Sequence, residues 1–253
     1  MQFLRPASLA VLCFALLPAD AAAADIRVLS VGSVQIATKA LAPAFERASG
    51  HKVVFTIVSP DRIAGRLASN PYDMLIASVP VVAALDKSGA IRAGSRTPLA
   101  RAGIGVMVRA GGPVPDVSTP ESFRKTLLAA KSIAYGDPTL PNQSGEVTVR
   151  ILTKAGILDA VKPKLRPAGL APGLAMVAKG EVDLALFNQV ELPAGVRLAG
   201  AVPAPLQDYT SYEAAVLAKG AVPDPAQQFI RHLTSPAARK TWQAARLEAY
   251  PYR

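Results

Sequence analysis

The sequence predicts an α/β protein built as two lobes, and three observations carry that prediction. Short apolar, β-branched runs alternate with segments of helical period over most of the chain. The alternation breaks near Arg101, where a long apolar run has no helix directly after it. The chain is 51% apolar with a single cysteine, so its fold rests on a core rather than on disulfides, and its length suits one large domain or two lobes of about 100 residues each.

The first 24 residues read as a segment apart. Arg5 gives a positive start, Leu9 to Leu17 is an apolar run too short to span a bilayer, and Ala22-Ala23-Ala24 supplies small residues for cleavage. This pattern predicts a secretory signal peptide and a periplasmic protein. The cysteine, Cys13, sits inside the apolar run, which leaves the mature chain no thiol for a disulfide, a thiolate metal site or a cysteine nucleophile.

After the signal, Ile26 to Leu29 is a strand, and Val34 to Ser49 is a helix with Ala37, Ala40, Leu41 and Ala44 on one face, stopped at Gly50. Lys52 to Val58 is a β-branched strand, Asp61 to Ala68 a helix, Met74 to Ala77 a strand and Pro80 to Ser88 a helix opened by proline. This βαβαβα order predicts a parallel sheet covered by helices. Ala100 to Ala110 then reads as one long strand, followed by a Gly/Pro-rich loop to Pro120. Alternation resumes with helix Pro120 to Lys131, strand Ser132 to Tyr135, helices Gly145 to Lys154 and Leu174 to Lys179, and strand Val182 to Phe187. The last third holds a strand-like segment, Tyr209 to Leu217, and helices Pro225 to Leu233 and Pro236 to Leu247. The middle is therefore expected to be a second lobe inserted into the first. The division is 25–103 with 206–253 against 104–205, and the crossings lie near Arg101 to Val106 and Ala201 to Asp208. Trp242, Tyr250 and Tyr252 are expected to pin the final helix to the first lobe.

The net charge is +10 and is unchanged by signal removal, because Arg5 and Asp20 leave together. The basic residues are scattered singly, as Arg101, Arg109, Arg124, Lys125 and Arg150, with no basic run, helix-turn-helix or zinc-finger spacing. Nucleic acid is disfavoured, and a solvated basic surface is the simpler reading. The two histidines, His51 and His232, form no i, i+4 pair with acidic neighbours, so no metal site is expected. No G-x-S-x-G elbow, P-loop or dinucleotide fingerprint is present, and no cofactor is expected.

Four strand-to-helix turns pair a small residue with a following helix: Gly32-Ser33, Ser59-Pro60-Asp61, Gln143-Ser144-Gly145 and Ala171-Pro172-Gly173. Helix N-termini beyond the carboxyl ends of strands present free N–H groups and a positive dipole end. Two such turns from each lobe could surround one anion. Taken singly, each turn is equally an ordinary N-cap.

The segments Val28 to Val34, Ala44 to Val53, Ala134 to Pro138, Ala155 to Leu165, Leu174 to Phe187 and Phe229 to Trp242 resemble, in the same order, the periplasmic molybdate-binding proteins of ABC transporters. The resemblance implies a type II periplasmic binding protein fold, two α/β lobes closing on a ligand about a hinge, acting as a monomer with an inner-membrane permease. It places Ser33 and Ser59 as ligand contacts of the first lobe, and Ser144, Leu170 and Asn188 as those of the second. Two departures mark a divergent branch. The second turn carries Pro60, which lacks an N–H, and Asp61, which repels an anion unless protonated or turned away; Asn188 stands where the family often has tyrosine.

That branch includes aconitate isomerase-like proteins, so two functions follow. One is a solute-binding protein capturing a small anion, either a molybdate-like oxyanion or a carboxylate. The alternative is an isomerase interconverting cis- and trans-aconitate, which needs cations or N–H groups for carboxylates and a base near the acidic carbon. Arg62 and Lys39 are candidates for the first task, and Asp61, Glu146 or Glu191 for the second, with Asp61 and Arg62 the preferred pair. A ligand sensor docking on a membrane protein is compatible with the same sequence.

Overall fold

A computed structural model describes residues 23–139, 143–189 and 192–251. The signal-peptide expectation, Glu191 and Tyr252 lie outside the described residues. The first elements follow the predicted order: β1 (Asp25–Val31), α1 (Gln35–Ser49), β2 (Lys52–Val58), α2 (Ile63–Ser69), β3 (Met74–Ser78) and α3 (Val79–Lys87). Short 3-10 turns, Gly32–Val34 and Pro60–Arg62, lead into α1 and α2. The long strand β4 (Thr97–Arg109) comes next, then α4 (Pro120–Ala129), β5 (Ile133–Gly136), α5 (Gln143–Lys154), α6 (Leu158–Val161), β6 (Leu165–Ala168), α7 (Leu170–Lys179), β7 (Leu184–Asn188) and β8 (Val196–Ala201). The chain closes with β9 (Tyr209–Val216), α8 (Pro223–Leu233), α9 (Arg239–Ala244) and β10 (Glu248–Ala249).

The strands lie in the order β2-β1-β3-β9-β4-β7-β5-β6, with β8 and β10 also paired to β4. The sheet is mixed rather than parallel throughout: β1 pairs in parallel with β2 and β3, but β9 runs antiparallel to β3 and β4. One strand serves both halves. Thr97 to Gly103 of β4 pairs with β9, and Ile104 to Arg109 pairs with β7 and β8. Gln207 ties this crossing to the returning chain, accepting from the Ile104 N–H at 2.9 Å and donating to the carbonyls of Ile104 at 2.9 Å and Val202 at 3.2 Å. Beside it the Arg101 guanidinium lies 3.7 Å from the centre of the Tyr209 ring and donates to Glu248.

The buried residues form three clusters, one on the first side and two on the second. On the first side, Ile26, Val28, Met74, Ile76 and Ala214 of the sheet pack with Phe45, Phe229, Ile230 and Trp242. On the second side, alternate residues part: Ile104, Val106, Ile133, Tyr135, Leu184 and Leu186 face α4 and α5, while Met107, Ala134, Ala185 and Phe187 face α7.

Several expectations are corrected. The buried face of α1 is Ala37, Thr38, Leu41, Ala42 and Phe45; Ala40 and Ala44 are exposed. Residues at i, i+1, i+4, i+5 and i+8 form that stripe, and the small alanines on the outside gave the helix no visible contrast. Helix α7 begins at Leu170, so Ala171-Pro172-Gly173 is its first turn rather than the turn before it; Gln143-Ser144-Gly145 is likewise the first turn of α5. The segment Pro236 to Leu247 is a 3-10 turn and the short α9, after which the chain joins the sheet through β10. Trp242 is fully buried and its indole N–H donates to the Leu233 carbonyl, whereas the Tyr250 side chain is 46% exposed and is not a core anchor. Helix α6 and strands β6, β8 and β10 were not foreseen.

Candidate functional site

A cavity of about 460 Å³ opens between the two sides of the sheet, at the carboxyl ends of β1, β2, β3 and β7. Its lining includes Ser33, Ser59, Asp61, Ser144, Leu170 and Asn188, so the structure brings together six of the residues singled out from sequence. The seventh, Arg62, is exposed and is absent from the lining, as are Lys39 and Glu146, both exposed on their helices. Of the Asp61–Arg62 pair, Asp61 lines the cavity and Arg62 lies outside its lining. Consecutive residues in the 3-10 turn diverge, and only Asp61 points its surface to the cavity.

Five helical segments begin at this cavity, at Gly32, Pro60, Val79, Gln143 and Leu170. No side chain caps the starts at Val31, Ser59, Ser78 or Gly169, so their N–H groups are not used up by caps. Two glycine contacts allow the second side to approach closely. A Cβ on Gly145 would run into the Gly136 carbonyl and the backbone of Asp137 and Pro138, and a Cβ on Gly173 would enter the Phe187 ring. With glycine at both places, α5 and α7 seat their first turns directly on β5 and β7.

Across the floor runs a hydrogen-bond chain joining the two sides. Asn188 Nδ2, at the end of β7, donates to the Tyr212 hydroxyl at 2.9 Å, and Thr210 Oγ1 donates to Asn188 Oδ1 at 3.1 Å. Tyr212 is 3% exposed, and burial pushes its hydroxyl pKa up to about 12 despite hydrogen bonds with Ser33 and Asn188 that lower it. It is thus a neutral phenol at working pH. Among the described lining residues Asp61 is the one charged group, and no lysine or arginine is present. Beside the hydroxyl and amide groups, the wall carries the apolar Val31, Ile57, Val58, Leu170, Pro172 and Phe187.

Similarity to known proteins agrees with this architecture. The family of bacterial extracellular solute-binding proteins matches residues 26–245. This chain belongs to that family. An aconitate isomerase of Pseudomonas sp. is 33% identical over 238 residues, covering 89% of this chain and 88% of the relative. Among solved structures, the substrate-binding domain of a putative molybdenum ABC transporter from Clostridium difficile superposes with a TM-score of 0.72 at 17% identity, covering 89% of this chain and 99% of that one. The sulfate-binding protein of Mycobacterium tuberculosis gives a TM-score of 0.72 at 19% identity, covering 90% of this chain and 88% of that one. The fold is that of the type II periplasmic binding proteins, two α/β lobes about a ligand cleft and a hinge. The solute-binding family and the divergent branch expected from sequence are both met.

Sequence reasoning missed Ser78, Thr210 and Tyr212, all lining the cavity. Signals for them existed. Ser78 ends an apolar strand two residues before Pro80, much as Ser59 stands directly before Pro60 after β2, and Thr210 and Tyr212 stand at i, i+2 on one face of β9. A tyrosine was sought at the end of β7, where Asn188 stands; here β9 supplies the phenol and Asn188 binds it.

The two histidines have structural partners. His51 Nδ1 accepts from the Ala24 N–H, and His232 Nε2 hydrogen-bonds with the Leu41 carbonyl, both beside Phe45.

Proposed function

We propose that this chain is an exported, monomeric solute-binding protein that captures a small anion between its lobes and delivers it to an inner-membrane ABC permease. In this reading residues 1–24 are a cleaved signal, 25–103 with 206–253 form the first lobe, and 104–205 form the second. One observation carries it: five helix starts with Ser33, Ser59 and Ser144 surround a cavity whose described lining residues include no cationic side chain. Backbone N–H groups, helix dipoles and hydroxyls neutralise an anion without a fixed positive charge, and they are worth more in a partly dry cleft than in water. Contacts to both lobes favour the closed form, since a ligand shifts a hinge equilibrium only by its differential affinity for the two states.

The cavity's size and its Ile57, Val58, Leu170 and Phe187 wall favour an organic carboxylate over a bare tetrahedral oxyanion. Asp61 at the rim adds selectivity, because it disfavours small anions that carry no further donor for its carboxylate.

A second reading is supported by the 33% identity to an aconitate isomerase. On that reading Asp61 is the lining carboxylate available as a base, the neutral Tyr212 hydroxyl is a proton donor at the floor, and the substrate carboxylates sit at helix starts rather than on Arg62. Thermal unfolding of the mature protein against molybdate, tungstate, sulfate, phosphate and a panel of di- and tricarboxylates, with NMR of each stabilising carboxylate, separates the readings. Stabilisation by a carboxylate that stays unchanged supports the binding protein. Conversion of trans- to cis-aconitate, abolished in Asp61→Asn, replaces it with the isomerase, and no shift with any anion refutes both.

A further inference from the structure

Ser78 stands out among the residues of the cavity because it is buried and unsatisfied. It is 4% exposed, and its Oγ has no hydrogen-bond partner among the described residues. Buried polar groups in native proteins are nearly always paired, and an unpaired hydroxyl is destabilising unless another molecule completes it. Its position should make it an N-cap for α3, yet its side chain makes no capping bond, and Pro80 at the second helical position has no N–H to offer it. Instead the residue lines the cavity. Ser78 is the direct cross-strand partner of Tyr212 in the antiparallel β3–β9 ladder, so the two side chains project from the same face. The Tyr212 hydroxyl is already engaged by Asn188 and Ser33. Tyr212, Asn188 and Thr210 thus hold one another, and the buried Ser78 hydroxyl faces the cavity with no partner among the described residues.

We infer that Ser78 is a ligand-contacting residue whose hydroxyl donates to an acceptor oxygen of the bound anion at the floor of the first lobe, with a carboxylate oxygen the matching chemistry. This rests on the anion-binding reading above. It adds a third serine-bearing helix start, that of the nine-residue α3, to those of Ser33 and Ser59. The unliganded protein carries the unsatisfied hydroxyl, and the ligand removes that penalty on binding.

The test compares Ser78→Ala with wild type in two measurements: thermal unfolding without ligand, and calorimetric titration with trans-aconitate and, separately, molybdate. The expected result is an unliganded midpoint equal to or above wild type, together with a Kd raised roughly tenfold or more for the probe that binds, as for losing a hydrogen bond to a charged group. Ser33→Ala, titrated in parallel, calibrates the loss of one cleft hydroxyl. An unchanged Kd in Ser78→Ala overturns the inference and leaves the hydroxyl with a buried water only. A weaker Kd accompanied by a lower unliganded midpoint also overturns it, in favour of a structural role. If wild type binds neither probe while the wider anion panel also fails, the anion reading itself falls and takes this inference with it.

Discussion

The two walls of the cleft are made of different materials. The first-lobe wall carries hydroxyls, Ser33, Ser59, Ser78, Thr210 and Tyr212, at the ends of β1, β2 and β3 and on β9. The second-lobe wall carries Leu170, Ala171, Pro172 and Phe187, with Ser144 and Asn188 as its polar groups. On the proposed reading, the first wall supplies most of the hydroxyl contacts to an anion and the second mainly shuts out water, which strengthens every electrostatic contact. Their supports differ as well. Of the helix starts on the first side, those of α1 and α2 follow strands through 3-10 turns and α3 follows β3 directly, and a Cβ on Gly65 of α2 would touch nothing within 4 Å. Those of the second lobe depend on glycine contacts at Gly136, Gly145 and Gly173.

The sharpest way to break this contrast is to add one methyl to a helix behind each wall. Gly145→Ala is expected to destabilise the protein by about 3 kcal/mol, because its Cβ meets backbone that cannot step aside. Gly65→Ala in α2 is expected to be neutral or stabilising by up to about 1 kcal/mol from helix propensity. Urea unfolding of both variants checks the pair, and equal effects would show that the walls do not differ in this way.

The floor that joins the walls offers a pH test. The folded pKa of Tyr212 is raised to about 12, so the unfolded phenol ionises first. Below pH 10 both states hold the proton and nothing is lost; as pH rises from 10 to 12 the folded state loses up to about 3 kcal/mol of stability from this group. Tyr135 and Tyr209, also raised by burial, act in the same direction. Tyr212→Phe should therefore flatten the alkaline slope of unfolding free energy without removing it.

Cutting the same chain from the other lobe is expected to have a somewhat smaller effect. Asn188→Ala leaves the Thr210 hydroxyl unpaired and removes a donor to Tyr212, at about 2 kcal/mol in chemical denaturation. The smallest expected effect is at the surface, where α5 meets the chain leading into β9. Arg150 of α5 donates to Asp208 at 2.6 Å, and with Tyr209 N–H and the charge of Lys154 it holds that carboxyl below its usual range against the opposing effect of burial. Both partners are substantially exposed, so Arg150→Ala should cost under about 1 kcal/mol and less at high salt.

Much of the first lobe was legible from sequence because its elements are long and its turns carry strong signals. The run KVVFTIV could only be a strand, Gly50 ends α1 with φ 75°, and the prolines at 60 and 80 mark helix starts. The second lobe was read less well. Strands β5 and β7 were visible, but the four-residue β6, Leu165–Ala168, carries a proline and no clear period, β8 was missed, and the alanine-rich α7 has little contrast between faces. The antiparallel β9 was visible as a strand, but no local pattern states which neighbour a strand takes.

Sequence alone determined the α/β class, the solute-binding family, the absence of thiols after Cys13 and the small-residue helix starts, because each is written in local pattern or in the order of motifs. It could also name six residues that meet in the cavity. Tertiary structure decided that Arg62, Lys39 and Glu146 turn away from it, that β9 inserts between β3 and β4, and that Tyr212 supplies the phenol sought beside Asn188. Those facts depend on strand order and on the direction of single side chains. Both are set by long-range pairing, which brings residues far apart in sequence, such as Ser78 and Tyr212, onto one face of one sheet.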